Sequence, residues 1–402
     1  MEVEHDGAAL EDELTAALDG ILSRRDPDAA VTVLGAGQDD LAPGHTYLSA
    51  LAPGGWAVPT WPTEYGGRGM APSEVGPIAR VLTRYEQPDL YPFLVGLHVA
   101  GPTILQLATP EQQARWLPAI RSGAEIWCQL FSEPGAGSDL ANVSTRATRD
   151  GDEWRVTGQK VWSSRAHYAH RGFLLARTDP DVPKHTGITA FALDMSAPGV
   201  EVRPLRQMNG DAHFSEVFLD DALVSDADRL GGVGEGWTVA RAALANERGA
   251  IALTSTGTGT PIQRLLELAH QRAHERCGDP VRQDAVVAAY VAGEAARLTV
   301  RRARDTAEAG RSPGPEGSGT KLRGSAQFKS IADLALGLLG PAAVAADGDA
   351  IDEWLTLFLT APSISIRGGT DEIQRNIIGE RILGLPAEPR VDVDRPFREI
   401  PH

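Results

Sequence analysis

Three short segments carry residue types from which a binding site can be built. The first is Phe131-Ser132-Glu133-Pro134-Gly135-Ala136-Gly137-Ser138-Asp139. A proline and two glycines at this density predict a tight loop poor in side chains. Backbone N–H groups in such a loop can approach a ligand closely. The second is Gly158-Gln159-Lys160-Val161-Trp162-Ser163-Ser164. A tryptophan followed by two hydroxyls at a strand end offers an aromatic wall and hydrogen-bonding groups. The third is Ile366-Arg367-Gly368-Gly369-Thr370-Asp371-Glu372-Ile373-Gln374-Arg375-Asn376-Ile377-Ile378. Two glycines precede a Thr N-cap and an acidic first turn. A helix N-terminus of this kind is a natural anion or ligand site. Each segment also has a plainer reading. These are an ordinary turn, a tryptophan buried in a sheet core, and an i,i+4 ion pair between Asp371 and Arg375.

Weaker signals fall away on inspection. Val31-Thr32-Val33-Leu34-Gly35-Ala36-Gly37 resembles a strand entering a dinucleotide turn, but position 40 is Asp where the next glycine belongs. Gly314 to Lys321 has the wrong order for a phosphate loop, ending Gly319-Thr320-Lys321. His270 and His274 are four apart on an expected helix, but no third metal ligand is nearby, so no metal site is expected.

The elements that must position these segments change texture twice along the chain. Leu10, Leu14, Leu18, Ile21 and Leu22 predict an amphipathic helix over 10–25, stopped by Pro27. Further helical stretches follow between 75 and 122. Thr109-Pro110-Glu111-Gln112 reads as an N-cap with Pro at N1. From about 126 to 233 the apolar period shortens towards 2. Asp150-Gly151-Asp152 signals a turn, and strands are expected over 186–195, 199–205 and 214–220. The helical period then returns to about 384. The expected division is a helical domain over 1–124, a β-domain over 125–235 and a helical bundle over 236–402.

Composition bounds the function. At about 150 residues per domain, 402 residues predict two or three domains. With 42% hydrophobic and 23% charged residues the chain is globular. A net charge of −16, from 54 acidic and 38 basic residues, argues against nucleic acid or an anionic membrane as general partners. It leaves room for a local basic pocket facing a small anion. No uncharged apolar run is long enough for membrane insertion, and the acidic N-terminus does not read as a signal peptide. Two distant cysteines, Cys128 and Cys277, favour a reduced, cytoplasmic setting. Only four basic residues are lysines, Lys160, Lys184, Lys321 and Lys329; we read this as codon bias.

Taken together, in this order and at these separations, the segments resemble the acyl-CoA dehydrogenase family. The resemblance starts at Trp61-Pro62-Thr63-Glu64-Tyr65-Gly66-Gly67 and ends near Gly384-Leu385-Pro386. It implies an α+β, mostly helical fold: an N-terminal helical domain, a central β-barrel-like domain and a C-terminal four-helix bundle. It also implies bound FAD. Gln129, Phe131 and Ser132 would line the flavin, with Gly137 and Ser138 nearby. Trp162 would cover the ring, Ser163 and Ser164 its polar edge, and Thr370 and Glu372 the ribityl and phosphate region. Arg276 and Gln283 would reach the adenine end of a neighbouring subunit's FAD, although the stretch between them is shorter than the family's. A homo-oligomer, dimer or tetramer, and electron transfer to an electron-transferring flavoprotein follow from the same resemblance.

The family's chemistry is α-proton removal by a carboxylate and transfer of the β-hydrogen as hydride to flavin N5. Many members carry the base directly before the Gly-Thr of the third motif, where this chain has Gly368. Others carry it in a Leu-x-x-Glu-Arg pattern, which Leu244-Ala245-Asn246-Glu247-Arg248 matches. The resemblance therefore implies Glu247 as base. The main-chain N–H of Gly368 would hold the thioester oxygen, with Ser138, Arg248 and Gly369 on the substrate side. Glu247 and Arg248 also read, more plainly, as a surface ion pair. Two other functions share the motifs. One is a superfamily oxidase or monooxygenase, or a dehydrogenase acting on a carrier-protein thioester. The other is a non-catalytic partner subunit of a heteromeric dehydrogenase.

Overall fold

The computed structural model describes residues 7–25, 40–254, 261–273, 279–308, 314–315, 317–345, 349–390 and 392–400. By its internal contacts the chain divides into two compact units, one over 1–206, 212–250 and 390–402, the other over 207–211 and 251–389.

The first unit begins with helices α1 (Gly7–Leu18), α2 (Ala42–Leu51), α3 (Gly76–Leu82), α4 (Gly101–Leu107) and α5 (Pro110–Arg121). Leu10, Leu14 and Leu18 are buried along α1 as their spacing predicts. The helix stops at Leu18, short of the expected 25, and Ile21 is exposed. Asp19 accepts a hydrogen bond from Tyr85 Oη at 2.7 Å, and Gly20 disfavours continuation. The Thr109 cap forms as expected, and Gln112 extends it to a capping box. Thr109 Oγ1 accepts from Gln112 N, and Gln112 Oε1 accepts from Thr109 N.

Strands β1 (Trp127–Leu130), β2 (Arg146–Asp150), β3 (Glu153–Ser164), β4 (Arg171–Arg177), β5 (Ile188–Asp194), β6 (Val200–Leu205), β7 (Phe214–Ser225) and β8 (Arg229–Leu230) form a mixed sheet. Its order is β6-β7-β3-β2-β4-β5-β8, with β1 parallel to β4. On β4, Phe173 and Leu175 join the core beneath the N-terminal helices, while Leu174 and Ala176 face a second core with Trp154, Phe191 and Val217. Burial on both faces explains the continuous apolar run of β4. Helix α6 (Gly236–Thr254) packs Val239, Ala240 and Ala243 into the first of these cores.

The second unit contains α7 (Pro261–Ala273), α8 (Pro280–Glu308), α9 (Gly317–Leu339), α10 (Ala342–Ala345), α11 (Asp349–Ile364) and α12 (Asp371–Arg381). Helix α9 packs against α7, α8, α11 and α12. The core is built from Leu265, Leu268, Ile331, Ala335 and Trp354. On α8, Val287, Val291 and Leu298 are exposed.

Candidate active site

The first motif leaves the end of β1 and is fixed by one buried ion pair. Glu133 lies against Lys160, Nζ to Oε1 2.7 Å. Its carboxylate also accepts from Ser144 N, Ser144 Oγ and Thr145 N at 2.7–2.9 Å. Lys160 Nζ donates to the Phe131 carbonyl as well, and Val161 N donates to the Ser132 carbonyl. Burial disfavours charge on Glu133. The Lys160 charge and hydrogen bond, with those from Thr145 and Ser144, outweigh it and hold the carboxyl at about 2. Sequence reasoning gave neither residue a role. The available signal was a charge inside each otherwise apolar or glycine-rich string.

Held this way, the loop presents its small residues outward. Phe131 is buried, Gln129 and Ser132 are half-buried, and Gly137 and Ser138 are exposed. A Cβ on Gly135 or Gly137 would meet nothing within 4 Å. These glycines leave open space beside the backbone.

The second motif ends in a β-bulge. The β3–β7 register shifts between Lys160 and Ser163. There Trp162 adopts a left-handed φ of +59°, a conformation uncommon for a bulky residue. The bulge turns its indole out to 61% exposure, edge-on to Phe214. The buried-core reading of this tryptophan is thereby excluded. Ser163 is fully buried opposite Ser215, and neither hydroxyl has a hydrogen-bond partner among the described residues. Ser164 is half-buried.

Glu247 lies half-buried on α6, and Gln129 Nε2 donates to its Oε2 at 3.4 Å. Its neighbour Asn246 donates to Thr103 Oγ1 at 3.1 Å, and that hydroxyl donates to the Val99 carbonyl at 2.6 Å. Val99 belongs to a π-helical turn, Val95–Ala100, ahead of Gly101-Pro102; Pro102 has no N–H to close the regular ladder. Arg248 continues α6, and its side chain is outside the described set. Cys128, fully buried, has its thiol pushed up to about 12 by burial, so it is not a nucleophile here.

In the second unit Gly368 and Gly369 have φ of +66° and +84°. A Cβ on Gly369 would lie 2.6 Å from Gln374 Nε2, the group that donates to the Gly368 and Gly369 carbonyls. Thr370 caps α12 through Ile373 N as its sequence predicts. The Asp371–Arg375 pair of the plainer reading does not form. Asp371 is buried against Lys321, Nζ to Oδ1 2.7 Å, and Arg375 pairs with the exposed Glu372. Gln283 is exposed near the start of α8. Arg276, His274 and the Val31–Gly37 segment lie outside the described residues.

Models of the N-terminal, middle and C-terminal domains of acyl-CoA dehydrogenases match residues 36–124, 128–222 and 234–383. Acyl-CoA dehydrogenase IpdE1 of Mycobacterium tuberculosis is 40% identical over 85% of this chain and 87% of its own. Acyl-CoA dehydrogenase FadE34 of the same organism is 43% identical over 84% of this chain, a match spanning 46% of FadE34. Among solved structures, the Tcur3481-Tcur3483 steroid ACAD superposes with TM-score 0.76 at 27% identity, covering 96% of this chain and 100% of that one. The ChsE4-ChsE5 complex from M. tuberculosis gives 0.71 at 27% identity over 96% and 100%. The chain belongs to the acyl-CoA dehydrogenase family, with the α+β, mostly helical fold of that family. It is an oxidoreductase acting on a CH–CH group, in a family of FAD-binding flavoproteins.

Proposed function

We propose that this chain converts an acyl-CoA thioester to its trans-2-enoyl thioester, with Glu247 as the base. The observation that carries this reading is the hydrogen bond from Gln129 to Glu247. It ties the carboxylate of α6 to the strand that leads into the first motif. Gly368, with no side chain, leaves the third motif without a base of its own.

The residues of the first unit fit a flavin. Trp162 offers an exposed aromatic face, Ser163 and Ser215 hold unpartnered buried hydroxyls, and the glycines of 132–139 leave open space. Gln129, Phe131, Ser132, Gly137, Ser138, Trp162, Ser163 and Ser164 would hold the isoalloxazine end. Thr370 and Glu372 would lie by the ribityl and phosphate region, and Arg276 and Gln283 by the adenine of a neighbouring subunit. FAD, when bound, accepts the β-hydrogen as hydride. Glu247 takes the α-proton, and the C–H electron pair it releases forms the new double bond. The Gly368 N–H donates to the thioester oxygen, which lowers the cost of enolate character at the α-carbon. Ser138, Gly369 and Arg248 serve the substrate, and electrons leave to an electron-transferring flavoprotein.

The test is Glu247→Gln. The variant should keep its flavin spectrum and lose acyl-CoA-dependent bleaching; undiminished bleaching removes Glu247 as base. A second reading makes the chain one subunit of a two-chain dehydrogenase acting on a steroid-derived acyl-CoA. It is favoured by the paired names of the Tcur3481-Tcur3483 and ChsE4-ChsE5 structures and by the exposed apolar row on α8. Under it, the purified chain is colourless and gains FAD only when co-expressed with a second dehydrogenase chain. A yellow protein in isolation excludes it.

A further inference from the structure

Residues 392–400 return to the β-domain and grip the far side of the first motif. Phe397 N donates to the Val182 carbonyl at 2.9 Å, and Arg398 N donates to the Pro180 carbonyl at 3.1 Å. Two side-chain contacts go further. Lys184, almost fully buried, places its ammonium between both Asp139 carboxylate oxygens, at 2.9 and 2.7 Å, and the Asp392 carboxylate. Asp139 is the last residue of the first motif. Phe397 lies flat on Arg177, 3.8 Å from Cζ to ring centroid. That guanidinium donates to the carbonyls of Ala141, Val143 and Lys184. The loop's exit is therefore held by two buried cations, and each of those is held from outside by the same nine-residue segment.

We propose that 392–400 is a positioning strap, in which Asp392 through Lys184 and Phe397 through Arg177 set the conformation in which the 132–139 loop receives its ligand. The proposal rests on reading that loop as part of the flavin and thioester site. An ammonium offers three donors and has no fixed fork. With Asp392 gone, Lys184 is free to leave Asp139 for water. With Phe397 gone, water reaches the Arg177 guanidinium and competes for the carbonyls that now order 141–143. Neither change touches the buried Glu133–Lys160 pair, so that single anchor persists while the rest of the loop loosens.

The experiment compares Asp392→Ala and Phe397→Ala in the full chain by amide hydrogen exchange and by FAD titration of the apoprotein. Exchange over 132–143 should rise roughly tenfold in each, with the strands of the sheet unchanged. The FAD dissociation constant should rise by a similar factor. Asp139→Asn should reproduce the Asp392→Ala effect, and the double variant should add little, because both act through Lys184. Unchanged exchange in Asp392→Ala overturns the strap, as does faster exchange with unaltered FAD affinity. Should Phe397→Ala fail to fold, Asp392→Ala, at a partly exposed position, decides alone. If the wild-type chain takes up no FAD, the reading of the loop falls, and exchange over 132–143 still decides whether the strap orders it.

Discussion

Replacing Lys160 with Met removes one charge from the most enclosed ion pair of the candidate site while nearly preserving volume. Lys160 has no exposed surface and Glu133 has 5%, so solvent screening offers little relief. Breaking such a pair by deleting one partner costs about 3–5 kcal/mol, because the remaining charge is left buried. The pKa gives a second route to the magnitude. A carboxyl held at about 2, against 4.5 when unfolded, contributes about 3 kcal/mol above pH 5. At about 2–4 °C per kcal/mol for a unit of this size, the melting midpoint should fall by roughly 10 °C.

The pH dependence tells this mechanism from a simple packing defect. In the native chain the folded pKa of Glu133 lies below the unfolded value. Its stabilisation is therefore complete above about pH 5 and lost as pH falls towards 2. Without Lys160, burial dominates and the folded pKa rises above the unfolded value. Stability should then be greatest in acid and decline as pH climbs through the raised pKa. Differential scanning calorimetry from pH 4 to 8 should show this contribution level above about pH 5 in the native chain and a decline with rising pH in the variant. Glu133→Gln added to Lys160→Met should recover much of the loss and flatten the slope. Equal midpoints with parallel profiles, or a double variant no better than the single one, would refute the assignment.

Three further outcomes follow from the site. Ser163→Ala deletes a buried hydroxyl without a partner, so the apoprotein should melt at the same temperature or higher, gaining about 1 kcal/mol at most; FAD affinity should nonetheless fall several-fold in fluorescence titration, and a parallel loss of both would mean a structural role. Gly369→Ala forces a side chain into a φ of +84° against Gln374, and chemical denaturation should register about 1–3 kcal/mol of lost stability. Thr103→Val leaves the Asn246 amide without its acceptor and frees the turn of α6 that carries Glu247. Stopped-flow flavin reduction should slow by about ten- to a hundredfold with a smaller change in substrate affinity.

What the sequence made legible was local. The Thr109 cap and the Thr370 cap are written within four residues and formed as read. The same local reading overran α1, since nothing within the helix announces that Tyr85 will hold Asp19. It also offered an Asp371–Arg375 pair on helical spacing, where Lys321, fifty residues away, holds the buried Asp371 instead. Glu133 and Lys160 are 27 apart in sequence and Gln129 and Glu247 are 118 apart. The first joins the exit of β1 to β3 and the second joins β1 to helix α6, tertiary contacts that local propensity does not encode. Trp162 is the sharpest case. Its type suggests a core, and only the slip of β3 against β7 turns it outward.

The distribution of lysine takes on meaning in this light. Basic residues number 38 and four are lysines. Lys160 holds Glu133, Lys184 holds Asp139, and Lys321 holds Asp371, with Lys329 3.9 Å from the same carboxylate. Every lysine thus meets an acid belonging to the first or third motif. At position 160 the cation must reach one carbonyl and one carboxylate oxygen with no surface exposed. A compact ammonium on an unbranched stem meets that need. A planar five-donor guanidinium would bring more N–H groups than the enclosure has acceptors and leave some buried and unpaired. The lysine that looked like an accident of codon usage is, at position 160, a packing requirement of the loop beside the candidate site.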